Sequence, residues 1–110
     1  MELLEAIHTR RSIRAFTDAP VSEEDLDTVL RAAMAAPSAG NAQPWHFVVI
    51  TDRAILDAIP GIHPHAAMCG TAQAAIVTVA ELALEKSPGN WMVDCSAAVE
   101  NLLLAARGLG

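Results

Sequence analysis

Apolar positions along the chain follow two periods, and the places where one gives way to the other mark the elements. Leu3, Leu4 and Ile7 share a face over a short helix at Glu2–Thr9. Ser22 opens the clearest helix. Ser22 and Asp25 have the spacing of a capping box, and Leu26, Val29, Leu30, Ala33 and Met34 follow at i, i+3, i+4, i+7 and i+8. Pro37 stops that helix. Phe47–Ile50 is a short β-branched run and predicts a buried strand; Ala75–Ala80, with Ile76, Val77 and Val79, predicts a second. Between them Asp52 can cap a helix carrying Ile55, Leu56 and Ile59, which Pro60-Gly61 should end. Residues 62–73 show no clear period. Ser87-Pro88-Gly89 is a turn, and Asn90 can cap the last helix. That helix carries a stripe of Trp91, Cys95, Ala98, Val99, Leu102 and Leu103, with Gly108 placed as its C′ residue. Strands interleaved with helices give a mixed α and β class. Two strands alone make a poor sheet, so further strands are expected beyond these.

Composition narrows the function classes. At 110 residues there is one domain at most, with no repeat or linker dividing it. Hydrophobic residues are 53% of the chain, which excludes disorder. Seven Lys+Arg against 13 Asp+Glu give a net charge of −6, a poor partner for nucleic acid or an anionic membrane. No signal peptide and no run long enough to span a bilayer is visible, so a cytoplasmic protein with reduced thiols is expected. A mean hydropathy of +0.33 is high for so small a chain, which buries only about 60–65% of its surface. Either a partner covers an apolar face or the chain is part of a longer one.

Two segments could carry chemistry. Arg10-Arg11-Ser12-Ile13-Arg14 places three guanidiniums and a hydroxyl within five residues, reversing the sign of an acidic chain. Guanidinium donors are fork-shaped and permanently charged, which suits a phosphate. The alternative is a set of solvated arginines at the negative end of a helix dipole. Pro37-Ser38-Ala39-Gly40-Asn41-Ala42-Gln43-Pro44-Trp45 has prolines near both ends, a glycine that permits close backbone approach, and two amides that donate and accept. It suits the edge of a heteroaromatic ring; the alternative is an ordinary helix-to-strand loop with Trp45 as a core anchor.

Taken in order, Arg10–Phe16, then Ala36-Pro37-Ser38 through Asn41-Ala42-Gln43-Pro44-Trp45-His46-Phe47, then Trp91–Ala106, the chain resembles the nitroreductase family of FMN-dependent oxidoreductases. The resemblance covers nearly the whole chain. It implies an α+β fold with a central, mostly antiparallel sheet flanked by helices, and a long central helix in a homodimer interface. It implies FMN at that interface. Arg10, Arg11, Ser12 and Arg14 would hold its phosphate, ribityl chain and part of the ring; Pro37, Ser38, Ala39 and Asn41, with Gln43 close by, would approach from the other subunit. The implied reaction is ping-pong, with NADH or NADPH giving a hydride to the flavin and a nitroaromatic, quinone or similar small acceptor removing the electrons. The flavin carries that chemistry, so no side chain is nominated as acid, base or nucleophile. Members of the family are longer and add a C-terminal region, so residues 1–110 read as an incomplete nitroreductase-like domain. Residues 62–73 offer no match to the family's flavin contacts there. The rival readings are a non-catalytic FMN- or phosphate-binding module and an inactive truncated remnant.

The remaining residues suggest less. His63, His65 and Cys69 do not have the spacing of a standard ligand set, so no metal is expected. Cys95 reads as a packing residue. Asp94 and Glu100 read as solvated, or as paired across a dimer interface. His8 and His46 receive no role.

Overall fold

The computed structural model describes all residues 1–110. Four α-helices and two strands follow in the order α1 (Leu3–Thr9), α2 (Glu23–Met34), β1 (Trp45–Ile50), α3 (Arg53–Ile62), β2 (Ala75–Ala80) and α4 (Trp91–Leu109). Short 3₁₀ turns lie at Ala39–Asn41, Pro64–Gly70 and Leu82–Leu84. The strands pair antiparallel, with Trp45 opposite Ala80 and Ile50 opposite Ala75. The fold is α+β, with α4 packed against α1, α2 and both strands.

Local chemistry sets most of the boundaries. Ser22 Oγ accepts from the Asp25 N–H at 3.0 Å, and Asp52 Oδ1 accepts from Ala54 N–H at 2.8 Å, so both expected caps form. The first strand begins two residues before the β-branched run, because Trp45 is itself a core residue at 6% exposure. Pro60-Gly61 does not end α3, which runs to Ile62. A proline in the last turn forfeits one backbone bond and its fixed φ is helical, so the turn continues. Gly108 likewise stays within α4, and Gly110, at φ +95°, takes the cap position.

The start of α4 departs from expectation. Asn90 lies in the right-handed helical region and makes no side-chain cap bond. Its amide donates instead to Asp94 Oδ1 at 2.8 Å, and Glu85 Oε2 accepts from the Trp91 N–H at 2.9 Å. Asn101, further along, donates to the Ala32 carbonyl at 3.0 Å and ties α4 to α2.

The core is small. Ala33, Ala36, Trp45 and Ala98 form it, with Phe47, Cys95, Ala97 and Leu102 packed around them. The face expected on α1 is not buried: Leu3, Leu4 and Ile7 are exposed, and Ala6 is the residue that packs inward. Met34, Trp91, Met92, Val93 and Leu103 are exposed as well. The accessible surface is 7324 Å², whereas a folded monomer of 11.6 kDa exposes about 5,800 Å². Both outer edges of the two-stranded sheet are open. No helix is long and apolar enough to cross a membrane.

Candidate functional site

The arginine segment follows directly on α1. The last turn of α1 is tied to the far half of α4: Arg107 Nε donates to Thr9 Oγ1 at 2.9 Å, and Arg10 Nε faces Glu100 Oε1 at 3.7 Å. Glu100 is therefore paired within the chain, through a long contact that leaves the rest of the Arg10 guanidinium free. Arg11, Ser12 and Arg14 are exposed, and none of the four ion pairs in the chain involves Arg11 or Arg14. An extended segment thus presents two unpaired guanidiniums, one loosely paired guanidinium and a hydroxyl to solvent.

The loop at 37–43 is built differently. Its ends are buried at Ala36, Pro44 and Trp45, and its crest at Gly40 and Asn41 is exposed. Across the crest the backbone turns left-handed at Gly40 (φ +61°), Asn41 (φ +54°) and Gln43 (φ +47°). Glycine takes that conformation freely, but at Asn41 and Gln43 surrounding structure must hold it. Part of that hold is local. Gln43 N–H donates to Ser38 Oγ at 3.0 Å, and Gln43 Nε2 donates to Asn41 Oδ1 at 3.1 Å. That leaves the Asn41 side-chain N–H₂ as a donor and the Gln43 side-chain carbonyl as an acceptor, on two exposed residues, with no hydrogen bond inside the chain. Beside Gln43 lies an open groove of about 380 Å³ walled by Leu30, Met34, Trp45, His46 and Phe47. His46 is held there by Glu81, Nε2 to Oε2 at 2.7 Å.

The rest of the hold comes from Asp94, which its position in the sequence leaves as solvated or paired across an interface, and from Lys86, which no sequence pattern singles out. Asp94 is not solvated: it is 4% exposed, and its Oδ1 accepts the Ala39 N–H at 3.1 Å together with the Asn90 amide. The signal was present, since Asp94 stands four residues before Ala98 on the buried face of α4. A carboxylate on that face has to find donors. Lys86 donates Nζ to the Gly40 carbonyl at 2.8 Å. Next to Asp94, Cys95 has its thiol pKa raised, first by burial and then by the charges of Asp94 and Glu85. A thiol so held protonated is a packing group rather than a nucleophile.

Within one chain the two segments do not meet. Glu100, which faces Arg10, is six residues beyond Asp94, which holds Ala39. Six residues of helix correspond to about 9 Å along the axis and about 120° around it. The arginine segment and the 37–43 loop are therefore displayed on different sides of α4. Away from both, the Arg53 guanidinium donates to the carbonyls of Cys69, Gly70 and Ala72 and closes the 62–73 region with protein contacts of its own.

The nitroreductase family model matches residues 7–67, which takes in both segments. A protein of Methanothermobacter thermautotrophicus, provisionally named NADH dehydrogenase/NAD(P)H nitroreductase, is 51% identical over 110 residues, covering 100% of this chain and 58% of its own length. A solved structure from Parabacteroides distasonis with the same provisional name superposes with a TM-score of 0.93 at 42% identity, covering 98% of this chain and 63% of that one. A provisionally named nitroreductase from Desulfovibrio desulfuricans, solved in complex with FMN, superposes with a TM-score of 0.91 at 34% identity, covering 97% of this chain and 63% of that one. The chain spans about three fifths of the length of these relatives. With the family model matching more than half of it and this degree of identity along its length, the chain belongs to the nitroreductase family.

Proposed function

We propose that this chain supplies the flavin site of an FMN-dependent oxidoreductase that uses NADH or NADPH and reduces a nitroaromatic, quinone or similar small acceptor. The observation that carries this reading is the exposed cationic segment Arg11-Ser12-Ile13-Arg14, unpaired in the fold, in a chain of the nitroreductase family. The FMN bound in the Desulfovibrio desulfuricans relative supports the choice of ligand.

The residues fit that group. Arg10, Arg11, Ser12 and Arg14 offer charge-assisted and hydroxyl donors to a phosphate and the polyol behind it, with no competing ion pair tighter than the 3.7 Å contact of Arg10. Pro37, Ser38, Ala39, Asn41 and Gln43 form a rigid turn whose free side-chain donor and acceptor suit the polar edge of a flavin ring. FMN held there would supply hydride chemistry between a nicotinamide and the acceptor. The protein's part is to neutralise the phosphate and fix the ring edge. No side chain is needed as acid or base.

Two copies complete the site. The two segments lie on different sides of α4, so one chain does not bring them to one ligand; the arginine segment of one copy and the 37–43 loop of another can. The exposed apolar residues of α1 and α4 give such an interface its surface. The accessible surface exceeds that of a compact monomer by about 1,500 Å², part of which such an interface would cover.

The test is a fluorescence titration of the protein with FMN and with riboflavin, followed by NADH and NADPH consumption with a quinone. FMN bound much more tightly than riboflavin, with steady turnover, is the expected result. Flavin binding without turnover would replace this reading with that of a binding module. A folded dimer that binds neither flavin would overturn the cofactor assignment.

A further inference from the structure

The crest of the 37–43 loop is gripped from two sides by groups of opposite charge. From below, the buried Asp94 takes the N–H of Ala39 at 3.1 Å, with Asn90 fixing the same carboxylate oxygen. From above, Lys86, the only lysine in the chain, gives its ammonium to the carbonyl of Gly40 at 2.8 Å. The lysine stem lies along the turn as well: a Cβ at position 40 would stand 3.0 Å from Lys86 Cδ and 3.3 Å from Lys86 Cβ. Both groups come from one stretch of chain. Glu85, beside Lys86, caps α4 at Trp91, and Asp94 lies in the first turn of that helix. The approach to α4 and its first turn therefore form a clamp on a segment whose backbone is left-handed at Gly40, Asn41 and Gln43. Non-glycine residues persist in that region when neighbours over-determine them.

We propose that Lys86 and Asp94 are positioning residues for the flavin: they act through the 39–41 turn and hold Asn41 and Gln43 in the shape that meets the ring. This rests on the flavin reading of the 37–43 loop. The consequence is specific. A clamp on the ring-facing turn affects FMN and riboflavin alike, whereas the arginine segment reads the phosphate and affects FMN alone.

The experiment uses the full protein as Lys86→Met, which keeps the stem and removes the ammonium, Lys86→Arg as the conservative replacement, and Asp94→Asn, which keeps an acceptor oxygen without the charge. FMN and riboflavin affinities, the visible circular dichroism of the bound flavin, and amide exchange at residues 39–43 are measured on each. Lys86→Met is expected to weaken both flavins by the same factor, about three- to tenfold, to change the flavin dichroism and to speed exchange at 39–43. Asp94→Asn should act in the same direction and Lys86→Arg should restore most of the loss. Flavin binding and dichroism unchanged in Lys86→Met would overturn the proposal, with the flavin reading intact. Weakening of FMN without riboflavin would also overturn it, because the lysine would then be reading the phosphate directly. A folded wild-type dimer that binds neither flavin overturns both readings together, whatever exchange at 39–43 shows.

Discussion

Arg14→Ala separates a phosphate-reading segment from a set of solvated arginines at a helix end. Arg14 is exposed and takes part in none of the chain's ion pairs, so its removal costs the fold nothing specific. The melting temperature should stay within the scatter of surface substitutions, equivalent to about 0.5 kcal/mol. A charge-assisted bond to a phosphate contributes about 1.5–3 kcal/mol, so the FMN dissociation constant should rise roughly 10- to 150-fold. Riboflavin has no phosphate, and its affinity should not move. Arg10→Ala serves as the internal comparison. It also loses the 3.7 Å contact with Glu100, whose side chains are 31% and 54% exposed. A pair so exposed contributes less than about 1 kcal/mol, so Arg10→Ala should lose FMN affinity together with a small amount of stability.

The assay is quenching of flavin fluorescence on titration with protein, at low and at high salt, alongside a thermal melt. High salt should narrow the difference between wild type and Arg14→Ala, because an exposed guanidinium–phosphate contact is screened over about a Debye length. Unchanged FMN affinity in Arg14→Ala would refute the phosphate reading and leave the helix-end alternative standing. An equal loss for FMN and riboflavin would refute it as well, placing Arg14 against the ring or in the fold.

Three further outcomes follow from the geometry. Gly40→Ala should cost about 1–2 kcal/mol, because position 40 has φ +61° and a methyl there meets the Lys86 stem at 3.0 Å; a urea denaturation midpoint equal to wild type would contradict this. Asn101→Ala removes the part-buried bond to the Ala32 carbonyl and should cost about 1 kcal/mol, or several degrees of melting temperature, with flavin affinity unchanged. Cys95 holds its proton more tightly folded than unfolded, so its contribution to stability is present at neutral pH and declines as pH rises above the ordinary thiol range. Between roughly pH 8 and pH 10 the wild-type denaturation midpoint should therefore fall further than that of Cys95→Ala, and iodoacetamide should modify Cys95 more slowly than a free thiol.

What could be read along the chain was what one element decides alone. The Ser22 and Asp52 caps and the α2 stripe need only their own few residues, and they form as their spacing dictates. Both strands form on their β-branched runs but are not buried as those runs predict: Val48, Val49, Val77 and Val79 are exposed, because nothing in this chain covers that part of the two-stranded sheet. Asn90 has the right identity for a cap and fails because the preceding turn, with its N–H bonded to the Ser87 carbonyl at 3.1 Å, leaves it in the helical region where its side chain turns toward Asp94 instead. The face of α1 departs from its pattern for a related reason: three apolar residues at helical spacing say which side is apolar but not whether anything covers it, and in this chain only Ala6 is covered.

The candidate site divides in the same way. Its two candidate ligand-binding segments are legible because charge and amide content are local properties, written in residues 10–14 and 37–43 themselves. Its supports were not, because the Lys86 contact with Gly40 spans 46 residues and the Asp94 contact with Ala39 spans 55. A polar residue on an apolar helix face was the one trace of them, and Asp94 and Asn101 both stand on such a face of α4. Each turned out to satisfy a backbone group of a neighbouring segment, Asp94 an N–H of the loop and Asn101 a carbonyl of α2. The polar interruptions of that stripe thus fix where the loop and the helix before it sit on α4. Replacing them with apolar residues of similar size would keep the helix amphipathic while removing the groups that register the loop against it.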